Sequence, residues 1–130
     1  LMITGESAKL ADTHGKWGMA PTWGMSQRLP RRIGVVKAKE MMFSGRTISG
    51  QEAVELGIAN QCVADDDLLS AAIEMAESFT RNSWHTLRAD KALINVGQNH
   101  FLNDGLIEER ENGPGVAPDM NDRLKAGFKR

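Results

Sequence analysis

Apolar positions form short runs in the first half of this chain and helical stripes in the second. Residues 1–4 and 8–11 are brief apolar pieces around the turn sequence Gly5-Glu6-Ser7, and both are expected to be strands. From 15 to 24, glycine and tryptophan recur around Pro21, which predicts a loop or a loop entering a helix. A helix is expected from about Trp23, interrupted at Pro30, because proline has no N–H and crowds the preceding turn. Residues 35–43 read as the next helix, and Gly45 suits its left-handed cap. Ser49-Gly50-Gln51-Glu52 has the form of a capping box. In that motif the serine oxygen accepts from the Glu52 amide, and the Glu52 side chain reaches back to the Ser49 amide. The short helix it opens should stop at Gly57, with a strand over 58–63.

Asp65-Asp66-Asp67 supplies helix caps whose charge favours a helix N-terminus. Behind it Leu68, Leu69, Ala72, Ile73, Ala76 and Phe79 recur at helical spacing. Ser83 is placed to cap a further helix with Trp84, Leu87 and Ile94 on one face. Phe101, Leu102, Gly105 and Leu106 begin another. Residues 113–118 form a Gly/Pro loop, and the last helix covers about 119–128. The fold class expected is α/β and helix-rich, with two regions, 1–64 and 65–130. Helices with so little sheet of their own pack against something else.

Bulk properties narrow the partners. The 130 residues fit one domain or part of a larger one. A net charge of −1 predicts no general attraction to nucleic acid or to an anionic membrane. The lone Cys62 has no internal disulfide partner, which suggests a reducing, cytoplasmic setting. No apolar run approaches the ~20 residues of a spanning helix. The start, Leu1-Met2-Ile3-Thr4-Gly5-Glu6, does not have the form of a signal peptide and reads like a strand entered partway through a protein.

Several chemistries lack their residues. There is no P-loop and no dinucleotide glycine fingerprint. His14, His85, His100 and Cys62 have no metal-ligand spacing, so no metal is expected. The three aspartates at 65–67 are consecutive, not alternating as in a calcium loop. Arg28, Arg31, Arg32, Lys37 and Lys39 could meet RNA or CoA phosphates. A solvated helix face is the better reading, since Glu40 and the near-neutral total oppose a strong field.

The informative segment runs from Ala11 to Gly34. Gly18, Pro21, Gly24, Gln27, Arg28, Leu29, Pro30, Arg31 and Gly34 follow the form G-x-x-P-x-x-G-x-x-Q-R-L-P-R-x-x-G. Here the chain resembles the enoyl-CoA hydratase/isomerase (crotonase) family. The resemblance continues through Ala38, Glu40, Ser44-Gly45-Arg46, Ile48-Ser49, Glu52-Ala53 and Gly57-Ile58-Ala59-Asn60, then loosens to Asn82-Ser83, Lys91 and the final helices. It implies the C-terminal part of the crotonase (ClpP/crotonase-like) ββα spiral, with 65–130 as trimerisation helices of a homotrimer or hexamer.

The resemblance also implies a substrate and a site. The substrate would be an unsaturated acyl-CoA thioester, hydrated or isomerised in fatty-acid or related metabolism. No separate cofactor is needed, because CoA is part of the substrate. In the family, two backbone N–H groups form an oxyanion hole for the thioester enolate. One glutamate comes from a glycine-rich turn upstream of these residues. A second sits just ahead of the G-x-x-P stretch, and two such acids can position a water and move its proton. Counting back from Gly18, that second position holds His14, and Asp12 stands where a glutamine is common.

Two readings of His14 stand side by side. Histidine as a residue type titrates near neutrality and can act as a base; it can equally make a structural hydrogen bond. Trp17, Met19, Pro21, Trp23 and Gly24 are candidates to line the substrate site. For Trp17, Met19 and Trp23 ordinary core packing is the favoured alternative. Phe128 would contact a CoA adenine of a neighbouring subunit, against a frayed end as the default. A catalytically silent acyl-CoA-binding or assembly protein is the alternative to an enzyme, and RNA binding a third reading.

Overall fold

The computed structural model describes residues 1–127. They gather into two compact units, Leu1–Glu74 and a second that begins at Met75. The first holds strands β1 (Ile3–Gly5) and β2 (Lys9–Ala11), a 3-10 turn at Gly15–Trp17, and helices α1 (Met25–Ile33) and α2 (Val35–Ser44). Strand β3 (Thr47–Ser49), helix α3 (Gly50–Glu55), strand β4 (Gln61–Val63) and a 3-10 turn at Asp65–Asp67 follow. Helix α4 (Leu68–Thr80) crosses the boundary. The second unit contains α5 (Trp84–Gly97), α6 (Leu102–Asn112) and α7 (Met120–Ala126).

Two small sheets organise the first unit. β1 runs parallel to β4, with Ile3 opposite Gln61 and Gly5 opposite Val63. β2 runs antiparallel to β3, with Lys9 opposite Ser49 and Ala11 opposite Thr47. The core is Leu29 from α1, Ala38 and Met41 from α2, Ile48 from β3, Ala53 from α3, then Ile58 and Ala59. Leu10, Met25, Ile33, Met42, Val54 and Leu56 pack around it. The second unit differs sharply: among its described residues only Ser83 is buried, and no apolar side chain is. Among the described residues no helix is long and apolar enough to cross a membrane.

Polar ties hold the elements in place. Arg46 bridges α2 to α3, with Nε 2.6 Å from Glu40 and Nη1 2.5 Å from Glu52. Arg32 Nε donates to the Ile58 carbonyl at 2.9 Å, fastening α1 to the turn after α3. Asn60 and Met2 exchange hydrogen bonds, 2.7 Å from the Asn60 amide and 2.9 Å to its side-chain oxygen. Gly50 lies so close to the Gly5 carbonyl that a Cβ there would collide with backbone.

Several local expectations are corrected. α1 runs through Pro30, which forfeits only the hydrogen bond to the Ser26 carbonyl, on the exposed first turn. The break falls instead at Gly34, whose φ of 81° and ψ of 156° no helix accommodates. Ser49 does cap α3, accepting from the Glu52 amide at 3.1 Å, but the Glu52 carboxylate turns to Arg46 because a charged donor outcompetes an amide. The strand expected over 58–63 is only β4, since the Ile58 and Ala59 amides both donate to the Ala53 carbonyl. Asp65 accepts from the Ser7 amide at 3.1 Å rather than capping α4. Ser83 precedes α5 without a side-chain cap bond; its hydroxyl faces Asp119 at 3.5 Å.

Two substitutions test this packing. Ile48→Ala, at a side chain 1% exposed, should lower the unfolding free energy by roughly 2–5 kcal/mol. Gly50→Ala should lower it by about 1–3 kcal/mol, because the neighbouring atom is backbone and yields little. Urea denaturation followed by circular dichroism measures both.

Candidate functional site

The chain leaves β2 at Ala11 and turns at once into the loop that carries the family-like segment. Asp12, its first residue, is 2% exposed. Asp12 Oδ1 receives two hydrogen bonds from one residue, the His14 amide at 3.0 Å and His14 Nδ1 at 2.5 Å. An ionised carboxylate only accepts, so Nδ1 donates to it, and whenever the ring is neutral the lone pair is on Nε2. Burial pushes the Asp12 carboxyl up, but the hydrogen bonds from the His14 amide and ring, with the ring's charge, outweigh it. The group is held below the usual aspartate range. Asp12 Oδ2 is buried without a hydrogen-bond partner among the described residues.

The backbone holds the imidazole in place. The His14 carbonyl accepts from the Trp17 amide at 3.1 Å and from the Met19 amide at 3.0 Å, closing the 3-10 turn beneath it. Gly18 ends that turn with a φ of 65°, a conformation suited to glycine. Gly24, with a φ of 92°, turns the chain into α1. Lys16 and the Asp12 carbonyl both lie against Gly45, so any side chain at Gly45 would press on this loop. The His14 and Trp23 rings are 5.9 Å apart and tilted by 58°, within the range of favourable aromatic pairs.

The other expected site residues divide. Trp17, Met19 and Trp23 are 73%, 52% and 80% exposed, so core packing within this chain does not account for them. Pro21 and Gly24 are half-buried beside them. Phe128 lies outside the described residues. All five residues of the basic run are exposed, as a solvated face requires; Arg32 is also tied to Ile58, and Arg31 Nη1 donates to the Gln27 carbonyl at 2.9 Å. The second unit has a separate open groove of about 470 Å³, lined by residues such as His85, Arg88, Val96 and Glu108. There the His85 Nε2 is 3.2 Å from the Gly115 carbonyl.

Sequence reasoning overlooked the role of Asp12. Its only signal was the Asp-x-His spacing, which lets a carboxylate fold over one residue and reach the ring of the next. Such a pair can take a proton at Nε2 while the carboxylate steadies the resulting charge.

The pair has a consequence in acid. The folded Asp12 value lies below the unfolded one, so its stabilisation is complete above about pH 4 and is lost as pH falls through the folded value. Asp12→Asn has no such proton to take up. Its stability should therefore fall less steeply than the wild type's between roughly pH 5 and 3, as measured by denaturant midpoints.

Known proteins show the same features of sequence and fold. Residues 1–112 match the enoyl-CoA hydratase/isomerase family. The chain is 33% identical over 111 residues to a probable peroxisomal enoyl-CoA hydratase of Arabidopsis thaliana, covering 85% of this chain and 42% of that protein. It is 31% identical over 106 residues to a short-chain-enoyl-CoA hydratase of Clostridioides difficile, covering 82% of this chain and 68% of the relative. The crystal structure of an enoyl-CoA hydratase from Bacillus anthracis superposes with a TM-score of 0.87 at 38% identity, covering 95% of this chain and 49% of that one. The chain thus spans about half the length of most such proteins, and in its helix-rich α/β fold as in its motifs it belongs to the enoyl-CoA hydratase/isomerase family.

Proposed function

We propose that these residues form one side of an acyl-CoA site, and that the protein hydrates or isomerises an α,β-unsaturated acyl-CoA thioester with His14 as its base. The carrying observation is His14 itself. The resemblance puts it at the family's second-acid position, its Nδ1 is held by Asp12, and the same stretch of chain carries exposed Trp17, Met19 and Trp23. Exposed apolar groups beside a fixed base suit an acyl chain. Pro21 and Gly24 shape the same loop. The alternative, a silent acyl-CoA-binding or assembly protein, draws support from the replacement of a carboxylate by an imidazole. The thioester brings its own CoA, so no further cofactor is required. The lone Cys62 fits a reducing compartment, which we take to be the cytoplasm.

The second unit supports self-association, which the family resemblance leads us to read as a homotrimer or hexamer. Ile94, Phe101, Leu102, Leu106 and Leu124 are exposed there, and a unit without a buried apolar side chain needs a partner surface. Region 65–130 is accordingly read as the assembly region.

Enzyme and silent protein separate by assay. The protein expressed from the complete reading frame that contains these residues should turn over crotonyl-CoA or a longer enoyl-CoA. His14→Gln should lower kcat by about 10²–10⁴-fold with KM nearly unchanged. Unchanged turnover with lowered stability would make His14 structural. The 130-residue chain alone should show no hydration above a buffer blank, since the family's first glutamate and oxyanion donors lie outside it. Sedimentation of the same full product should give a trimer or hexamer. A compact monomer that binds no apolar dye would overturn the assembly reading.

A further inference from the structure

We propose that Asp12 is the positioning residue of an Asp12–His14 dyad, holding Nδ1 as the donor so that Nε2 is the atom that exchanges protons with the substrate. This rests on the reading of His14 as a base. Three observations on the loop carry it. The Asp12 carboxylate is almost wholly buried, and its Oδ1 takes both the ring and the amide of His14. The bond to Nδ1 sets the ring's tautomer and rotation, while the amide bond holds the carboxylate oxygen that receives it. Asp12 Oδ2 has no partner among the described residues, so the charge has His14 as its only hydrogen-bonded counterpart there. Nε2 has no hydrogen-bond partner among the described residues, and the His14 side chain keeps 17% of its surface exposed.

Charged groups around the dyad are few. Lys16 lies on the same loop, and its stem packs on Gly45 beside the Asp12 carbonyl. Arg46, next in the chain, is turned to Glu40 and Glu52. Neither makes a hydrogen bond to the Asp12 carboxylate or the His14 ring among the described residues.

The proton balance is simple. In hydration, the water oxygen bonds to Cβ of the enoyl thioester while one water proton moves to Nε2. The π electrons of the double bond pass to the thioester as an enolate. The imidazolium then returns its proton from Nε2 to Cα, and the ring is neutral again. Throughout, the Nδ1 proton stays on Nδ1 beside the Asp12 carboxylate, which stabilises the transient positive ring without taking its proton. No outside oxidant or other co-reactant enters.

The test uses the complete reading frame, with 15N-labelled histidine and enoyl-CoA kinetics. In the wild type, His14 should show a protonated Nδ1 and an unprotonated Nε2. Asp12→Leu removes the acceptor at similar volume, and should move the proton to Nε2 and lower kcat by about 10²-fold with KM changed less than about twofold. Asp12→Asn keeps an acceptor oxygen without the charge, so it should keep the tautomer and still lower kcat by about 10-fold or more. It also serves if the leucine variant does not fold. In a His14→Gln background neither substitution should lower kcat further, because Asp12 acts through the ring.

An equal loss in both backgrounds would overturn the proposal. So would a wild-type ring protonated at Nε2, or a tautomer indifferent to Asp12→Leu. Absence of any enoyl-CoA turnover would defeat the functional reading instead, and the ring spectra would still decide the dyad.

Discussion

A buried negative charge organises the loop on which the proposed function depends. Asp12 lies at the end of β2, beneath the surface, where an unpaired carboxylate would be costly. Its partner comes from two residues further along the same chain, so the backbone must fold back immediately. That fold closes the 3-10 turn, places the Trp17 and Met19 amides on the His14 carbonyl, and brings Trp23 beside the imidazole. Rotating the ring away would leave the buried carboxylate with only the bond from the His14 amide. The loop's two bonds to the buried charge thus converge on one atom, Asp12 Oδ1.

Most residues that make the chain resemble its family serve the frame around that loop. Arg46 joins Glu40 on α2 to Glu52 on α3, and Ile58 receives Arg32, a residue outside the shared motif, to tie down α1. Asn60 fastens the entry to β4 onto Met2 beside β1. Gly45 admits Lys16 and the Asp12 carbonyl to the end of α2. These are mechanical roles. They explain how a chain can match the family over 112 residues with an imidazole at the position proposed to handle the proton. A shared frame constrains where chemistry occurs more tightly than which chemistry occurs.

What was legible in the sequence follows the range of the forces involved. α2, α3 and the helices after Asp67 were readable because caps and apolar stripes act within a few residues. β3 was not, since one buried residue, Ile48, between two exposed neighbours carries no periodicity. Pro30 misled because a single lost hydrogen bond weighs less than the burial of Leu29 beside it. His14 stood out through its place before Gly18. Asp12 did not, because its role depends on burial, which residue spacing along the chain does not report. The exposure of Trp17 and Trp23 was equally hidden: an apolar side chain reads the same whether its own chain covers it or something else must.

Charge counting brings the departure at His14 back toward the family's chemistry. A glutamate base carries one negative charge before it takes a proton and none afterwards. The Asp12–His14 pair does the same: a carboxylate with a neutral imidazole totals one negative charge, and a carboxylate with an imidazolium totals none. The field presented to a thioester enolate changes by the same unit in both cases. What differs is where the proton resides and what holds it. In the proposed dyad the accepting atom moves from a carboxylate oxygen to Nε2, at the far edge of a ring from the buried charge. The negative partner is sheltered from water and so keeps its strength. Replacing glutamate by histidine alone would remove a charge from the site, whereas replacing it by histidine with a buried aspartate two residues earlier preserves the charge and relocates the proton.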